Sequence, residues 1–390
     1  MSAGTNTGSN TGSNTGTNTG TTAGTEGLEF IPPAKPIIGD EERAAVDRVM
    51  RSGMLAQGPE VAAFEVEFAE HFGLGRACVA VNSGTSGQHL GLLSCGVKAG
   101  DEVIVPSFTF AATANSVALT GATPVFADIS ADDFGLDPAA VEAAVTERTV
   151  GIMPVHLYGH PAQMDALMAV AEKHGLQVFE DAAQAHGASL NGTPVGAFGS
   201  FAMFSLYPTK NMTSGEGGMV SVANAEVERM MRLYRNQGME KQYHNEVVGF
   251  NNRMTDIHAA IGREQLKKVD GWTRARQENA AFLSENLQGV VTPPVAPGAV
   301  HVYHQYTVRV PEDRDGFAAA LRNEYAVGSG MFYPVPNHQL APFTGAPHAD
   351  LPQTAKAAAE CLSLPVHPSL TQEHLERIVS AVNALAKAGA

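Results

Sequence analysis

Cysteine, tryptophan and cationic side chains are scarce in this 390-residue chain, which has three Cys, one Trp, and 25 Lys and Arg against 40 Asp and Glu. Cys78, Cys95 and Cys361 form no CxxC and no Cys/His pair at zinc spacing, so neither a disulfide framework nor a structural metal is expected. Their odd, sparse count suits a reducing compartment, the cytoplasm. The net charge of −15 leaves no cationic cluster for a polyanion, which argues against nucleic acid as the main partner. No uncharged apolar run approaches the ~20 residues of a bilayer-spanning helix, so no membrane partner is expected. The N-terminus lacks the basic start and apolar run of an export signal. GxGxxG and GxxxxGKS/T are also missing, which weakens dinucleotide and P-loop readings.

What is present divides into three stretches. Residues 1–27 carry Gly at every fourth position from Gly4 to Gly24 and a single charged side chain, Glu26, and such a run has too little to bury to be ordered. Residues 28–270 read as a large α/β domain. A capped helix begins at Gly39-Asp40, with Val46, Val49 and Met50 on one face, and a second opens at Pro59, with Val61, Phe64, Phe68 and Phe72 as its core stripe. Continuous apolar runs then alternate with helix-length segments: 78–81, 102–106, 124–129, 149–155 and 177–181. Strands apolar on both faces and separated in this way predict a mostly parallel sheet flanked by helices. In such sheets functional groups gather at the carboxyl ends of the strands. A helical stretch follows Met254 and is expected to break near Gly271, and residues 271–390 read as a smaller α+β domain.

Three segments at strand ends could carry chemistry. Asn82-Ser83-Gly84-Thr85-Ser86-Gly87 follows a strand and opens a helix, where free N–H groups and small hydroxyls suit a phosphate, although a plain glycine-rich turn reads the same way. Asp181 ends the 177–181 strand and could hold a protonated ring nitrogen, or simply cap a helix. Lys210 lies just past the apolar run that ends at Ser205-Leu206, where burial would lower its basicity as a Schiff-base amine requires. The ordered set of phosphate turn, aromatic Phe108 or Phe110, Asp181, Ser205 and Lys210 fits pyridoxal phosphate, which needs an amine, an acid at its ring nitrogen, a stacking ring and a phosphate cup.

From about Ile31 onward the chain resembles the DegT/StrS-type sugar aminotransferases, enzymes of the pyridoxal-phosphate fold type I. The resemblance rests on LAQGPEVAAFE, NSGTSG, VPSFTFAATANSVALTGATPVFADI, PVHLYGHPAQMD, FEDAAQAHGA, FSLYPTKNMTSGEGG and GFNNRMTDIHAAIG. It implies that Lys210 forms the Schiff base, that Asp181 pairs with the pyridinium nitrogen, and that Thr85, Ser86 and Ser205 hold the phosphate. It further implies that Phe110 stacks on the ring and that Gln184 contacts the ring hydroxyl. Asn251 would reach the cofactor phosphate of a neighbouring subunit, so a homodimer with shared sites is implied. The family usually carries an aromatic where Asn252 stands, which leaves either asparagine for that reach.

The resemblance also implies transfer of an amino group from L-glutamate, or glutamine, through pyridoxamine phosphate to a nucleotide-linked keto-sugar. Tyr333, His338 and Arg253 are candidate substrate contacts, and His156 and Tyr158 lie in motifs that line the sugar pocket. The segment MFYPVPNH (331–338) is similar to a YPxPxH form associated with amination at C3 rather than C4. A sugar dehydratase of the same family would carry histidine in place of Lys210, and a non-catalytic regulator would show a degraded pocket. Arg232 and Arg235 are further anion-binding candidates, each reading alone as a salt-bridge partner, and His186 reads as packing rather than chemistry.

Overall fold

The computed structural model describes residues 27–388, so the Thr/Gly/Asn-rich run read as disordered lies, but for Gly27, outside the described residues. Seven strands form the central sheet: β1 (Ala77–Val81), β2 (Glu102–Pro106), β3 (Thr123–Ala127), β4 (Thr149–Ile152), β5 (Gln177–Asp181), β6 (Phe201–Ser205) and β7 (Gly218–Val222). Their order is β1-β7-β6-β5-β4-β2-β3. β7 runs antiparallel to both neighbours, and the remaining pairs are parallel. This is the mostly parallel α/β sheet expected, with apolar clusters packed on its faces. The antiparallel β7 was not foreseen, because GMVSV is buried along its whole length and reads like any central strand.

Helix α1 (Asp40–Ser52) and α2 (Pro59–His71) begin where expected. The buried face of α1 is Glu42, Ala45 and Val49, whereas Met50 is exposed. Glu42 turns inward because Gln265 and Lys268 donate to its carboxylate, and that rotates the stripe away from Met50. The N-terminus of α2 is satisfied from a distance, with Asp256 Oδ1 accepting from the N–H groups of Gly58 and Val61.

Helix α3 (Gly84–Ser94) packs on β6 and β7 with glycines Gly84, Gly87 and Gly91 facing Met203, Val220 and Phe201. A Cβ at Gly87 would stand 2.8 Å from Val220, and one at Gly91 2.7 Å from the Phe201 ring. Gly91→Ala should therefore cost about 1–3 kcal/mol by overpacking, measurable as a lower midpoint in thermal or denaturant unfolding; an unchanged midpoint would mean that Phe201 yields freely.

Helices α4 (Ala112–Leu119), α5 (Pro138–Ala144) and α6 (Met164–His174) fill the crossovers, and α7 (Ala225–Arg235) follows β7. The long helical stretch divides into α8 (Asp256–Leu266) and α9 (Val269–Asn286). The break falls at Lys267-Lys268, three residues before Gly271, which itself lies inside the first turn of α9. Lys268 is held by ion pairs to Glu41 and Glu42, so tertiary contacts rather than a glycine fix the break.

The C-terminal part comprises α10 (Arg314–Tyr325), α11 (Pro352–Glu360) and α12 (Gln372–Ala388) around a two-stranded antiparallel pair, β8 (Tyr306–Arg309) and β9 (Cys361–Leu364). Its apolar cluster takes in Ile31, which bridges to Val327. No described helix is long and apolar enough to cross a membrane.

Candidate functional site

Asp181 ends β5, opposite Met203 of β6, and is only 4 % exposed. Its Oδ2 accepts from the Thr113 hydroxyl at 2.8 Å and its Oδ1 from the Ala183 N–H at 3.1 Å. No helix follows, so the capping role considered for this aspartate reduces to one turn bond. Among the described residues no cation stands within 4 Å of its carboxylate. A buried carboxylate with two neutral donors still calls for a positive partner, and a protonated ring nitrogen meets that need.

Lys210 is half-buried, and no hydrogen bond to its amine is formed among the described residues. Burial pulls its pKa down to about 8, and the negative charge of Asp181 opposes that shift. The amine is therefore partly unprotonated near neutral pH, the form in which nitrogen is nucleophilic.

The phosphate turn lies at the end of β1. Ser83 Oγ accepts from Ser86 N and contacts Ser86 Oγ at 2.9 Å, which caps α3. The N–H groups of Gly84 and Thr85 have no partner among the described residues. Ser205, at the end of β6, adjoins this turn, its Cβ lying 3.3 Å from the position a Cβ on Gly84 would take. Free N–H groups at a helix start beside two or three hydroxyls fit a phosphate.

The two aromatic candidates separate cleanly. Phe108 is fully buried in an apolar cluster with Phe134 and Tyr158, whereas Phe110 is 61 % exposed and free to cover a planar ligand. Gln184 is held at both ends of its amide: Oε1 accepts from Tyr158 N at 2.7 Å, and Nε2 donates to Tyr333 Oη at 2.9 Å. Tyr333 in turn packs against Phe108 and Phe110, with ring centroids 6.1 and 6.2 Å away.

Asp181, Lys210, Gln184, Phe110 and Tyr333 thus converge, with Thr85, Ser86 and Ser205 at the adjoining strand ends. His338 stands at the rim, its Nδ1 2.7 Å from Ser107 Oγ. Asn251 and Arg253 lie beside β1. Asn251 is exposed and bridged to Asn236, Asn252 O accepts from Asn82 N, and Arg253 donates to Asn236 Oδ1 at 2.7 Å.

Other candidates are occupied elsewhere. His156 is fully buried: its Nδ1 accepts from Ala162 N, so Nε2 carries the proton and donates to Glu180 at 3.2 Å. Arg235 is buried against Glu65 and the Ala80 carbonyl, and Arg232 bonds the same glutamate, so neither is free for substrate. Glu65→Ala should destabilise the fold by about 3–5 kcal/mol, because it strands the Arg235 charge, an effect that denaturant titration would detect. His186 packs against Phe68, Phe72 and Phe204, and burial together with the nearby Lys210 charge lowers its pKa to about 3, which keeps it neutral. Thr113, which orients Asp181, was not singled out from the sequence. Its signal was a hydroxyl in the first turn of the helix that follows a strand end.

Against known proteins, residues 36–383 match the DegT/DnrJ/EryC1/StrS aminotransferase family. The dTDP-3-amino-3,4,6-trideoxy-alpha-D-glucose transaminase of Streptomyces venezuelae is 42% identical over 88% of this chain and 91% of its own. The UDP-N-acetyl-3-dehydro-alpha-D-glucosamine 3-aminotransferase of Acidithiobacillus ferrooxidans is 40% identical (88% and 93%), and the pleiotropic regulatory protein of Geobacillus stearothermophilus 41% (86% and 92%). The crystal structure of S. venezuelae DesV with a ketimine intermediate superposes with a TM-score of 0.86 at 39% identity, covering 92% of this chain and 99% of that one. Fold and site define a fold-type I aminotransferase that uses pyridoxal phosphate. The chain belongs to the DegT/DnrJ/EryC1/StrS aminotransferase family.

Proposed function

We propose that this chain moves an amino group from L-glutamate, or glutamine, to C3 of a nucleotide-linked keto-sugar, and that it works as a cytoplasmic homodimer. One observation carries the reading: an amine of lowered basicity, Lys210, faces a buried carboxylate, Asp181, that lacks a cation of its own. Two relatives whose names specify a 3-amino or 3-dehydro sugar support the substrate and the position.

Bound pyridoxal phosphate supplies an electron-accepting ring and the aldehyde carbon that carries nitrogen between donor and acceptor. Lys210 Nζ is the amine that would hold that carbon, and when free of it would move a proton on and off the donor's α-carbon. Asp181 would hold the proton on the ring nitrogen, and Thr113 and the Ala183 N–H hold Asp181. Thr85, Ser86 and Ser205 would bind the phosphate, Phe110 would shield one ring face from water, and Gln184 would donate to the ring oxygen. Asn251 of each chain reaches the other's phosphate. Tyr333, His338 and Arg253 receive the sugar nucleotide. The division into a domain of residues 28–270 and one of 271–390 cuts through the first turn of α9, with the site on the first domain and the 331–338 loop reaching it from the second.

Purified protein given cofactor, L-glutamate and a UDP- or dTDP-linked 3-keto-sugar should yield amino-sugar and 2-oxoglutarate in equal amounts. Faster amination of the 4-keto isomer would overturn the C3 assignment, and amination of neither would overturn the substrate class.

Capture of pyridoxal phosphate by the cofactor-free protein needs the unprotonated amine. Its rate should climb about tenfold per unit from about pH 6 and level off above the Lys210 pKa of about 8. A stopped-flow profile still climbing at about pH 10, as an ordinary lysine would give, would contradict the lowered basicity.

A further inference from the structure

The two hydrogen bonds of Gln184 decide what its side chain can offer. The oxygen is engaged by Tyr158 N and one amide hydrogen by Tyr333 Oη, so the second amide hydrogen is the group left to face a ligand. The partner that completes this arrangement comes from nearly 150 residues further along the chain, in the 331–338 segment. That segment is fastened at both ends. Tyr158 Oη donates to Phe332 O, Asn337 Nδ2 donates to Thr109 O at 3.1 Å, and His338 N donates to Ser107 Oγ at 3.1 Å. It therefore grips both the strand end that carries Phe110 and the amide of Gln184.

We propose that Tyr333 is a positioning residue: by accepting from Gln184 Nε2 it fixes the amide plane so that the remaining N–H points at the cofactor's ring oxygen, and it thereby ties the 331–338 loop to the cofactor. This rests on the cofactor placement given under Proposed function and goes beyond it in assigning Tyr333 a task besides contact with substrate. The ring of Tyr333 is wedged between Phe108 and Phe110, and among the described residues its hydroxyl bonds Gln184. Burial, together with the charge of Asp181, holds the phenol well above its usual titration range, although the bond from Gln184 works the other way. The hydroxyl thus stays protonated, accepts from Gln184 and keeps a hydrogen of its own.

An oriented donor stabilises negative charge on the ring oxygen, and loosening it makes the bound cofactor hold its proton to higher pH. The test is a pH titration of the visible absorption band of the pyridoxal-phosphate-loaded protein, without substrate, for wild type, Tyr333→Phe, Gln184→Leu and the double variant. Tyr333→Phe should raise the midpoint by ~0.5–1 pH unit, Gln184→Leu by at least as much, and the double variant no further than Gln184→Leu alone. Tyr158→Phe, which releases the Phe332 carbonyl, should shift it the same way by less, and serves if Tyr333→Phe does not fold. An unmoved midpoint in both tyrosine variants, or an additive double variant, overturns the positioning role. A wild-type protein with no pH-sensitive visible band overturns the cofactor placement itself.

Discussion

Lys210→Ala should lower amination turnover by at least ~10²–10⁴-fold, the usual worth of a positioned proton-transfer group, and should leave the fold intact. The side chain explains both halves of this expectation. Its amine makes no hydrogen bond or ion pair among the described residues, so its loss leaves no buried partner unsatisfied. Stability should change by less than about 0.5 kcal/mol, as for other substitutions that disturb no packing or network. The same amine is the group of lowered basicity in the cluster, and neutral His186 is sealed among aromatic rings and offers no substitute. Turnover measured beside thermal unfolding separates these effects. A variant that kept wild-type activity would contradict the mechanism, whereas one that lost activity by unfolding would contradict the claim that Lys210 carries no structural load.

Asp181→Asn should reduce turnover by ~10²–10³-fold, on the scale of removing one fixed electrostatic partner from a transition state. The amide is nearly isosteric. The Ala183 N–H retains an acceptor, and the Thr113 hydroxyl can rotate to accept where it now donates, so the arrangement around residue 181 survives. What disappears is the negative charge that keeps a ring nitrogen protonated. A second readout comes from Lys210. Asp181 raises the pKa of that amine against the pull of burial, so removing the charge should move the pH at which cofactor capture levels off further below about 8. Asp181→Glu keeps the charge and should keep the plateau near its present place. A loss of turnover with no change in the capture profile would mean that the two side chains do not sense each other.

Much of this site was legible because its parts occupy positions with local signatures. The runs at 102–106 and 177–181 end as strands on the residues expected, which places Asp181 at a carboxyl edge. NSGTSG opens a helix, and Lys210 follows a buried strand. Signals that depend on distant partners were not readable. Met50 looked like core because the burial of Glu42 requires Lys268 and Gln265, which are more than 200 residues away. The burial of His156 was not readable, because its acceptor, Glu180, becomes a partner only when the end of β5 comes alongside. Arg235 is the salt-bridge partner that it reads as alone, but that its partner is Glu65 of α2, 170 residues away, was not readable. The break between α8 and α9 falls near Gly271 as expected, but its position at Lys267-Lys268, where Lys268 pairs with Glu41 and Glu42, was not readable. The role of Thr113 belongs with these: a hydroxyl in a first helical turn becomes meaningful once Asp181 lies across from it.

The measurement that bears most directly on the account is the visible absorption of the purified protein with pyridoxal phosphate, recorded before and after L-glutamate, with 2-oxoglutarate assayed in the same cuvette. A cofactor band should appear that glutamate abolishes, with 2-oxoglutarate formed in an amount matching the protein and the band restored by added 2-oxoglutarate. A band indifferent to both glutamate and glutamine would contradict the proposed donors. The absence of any band in a folded protein would contradict the assignment of Lys210.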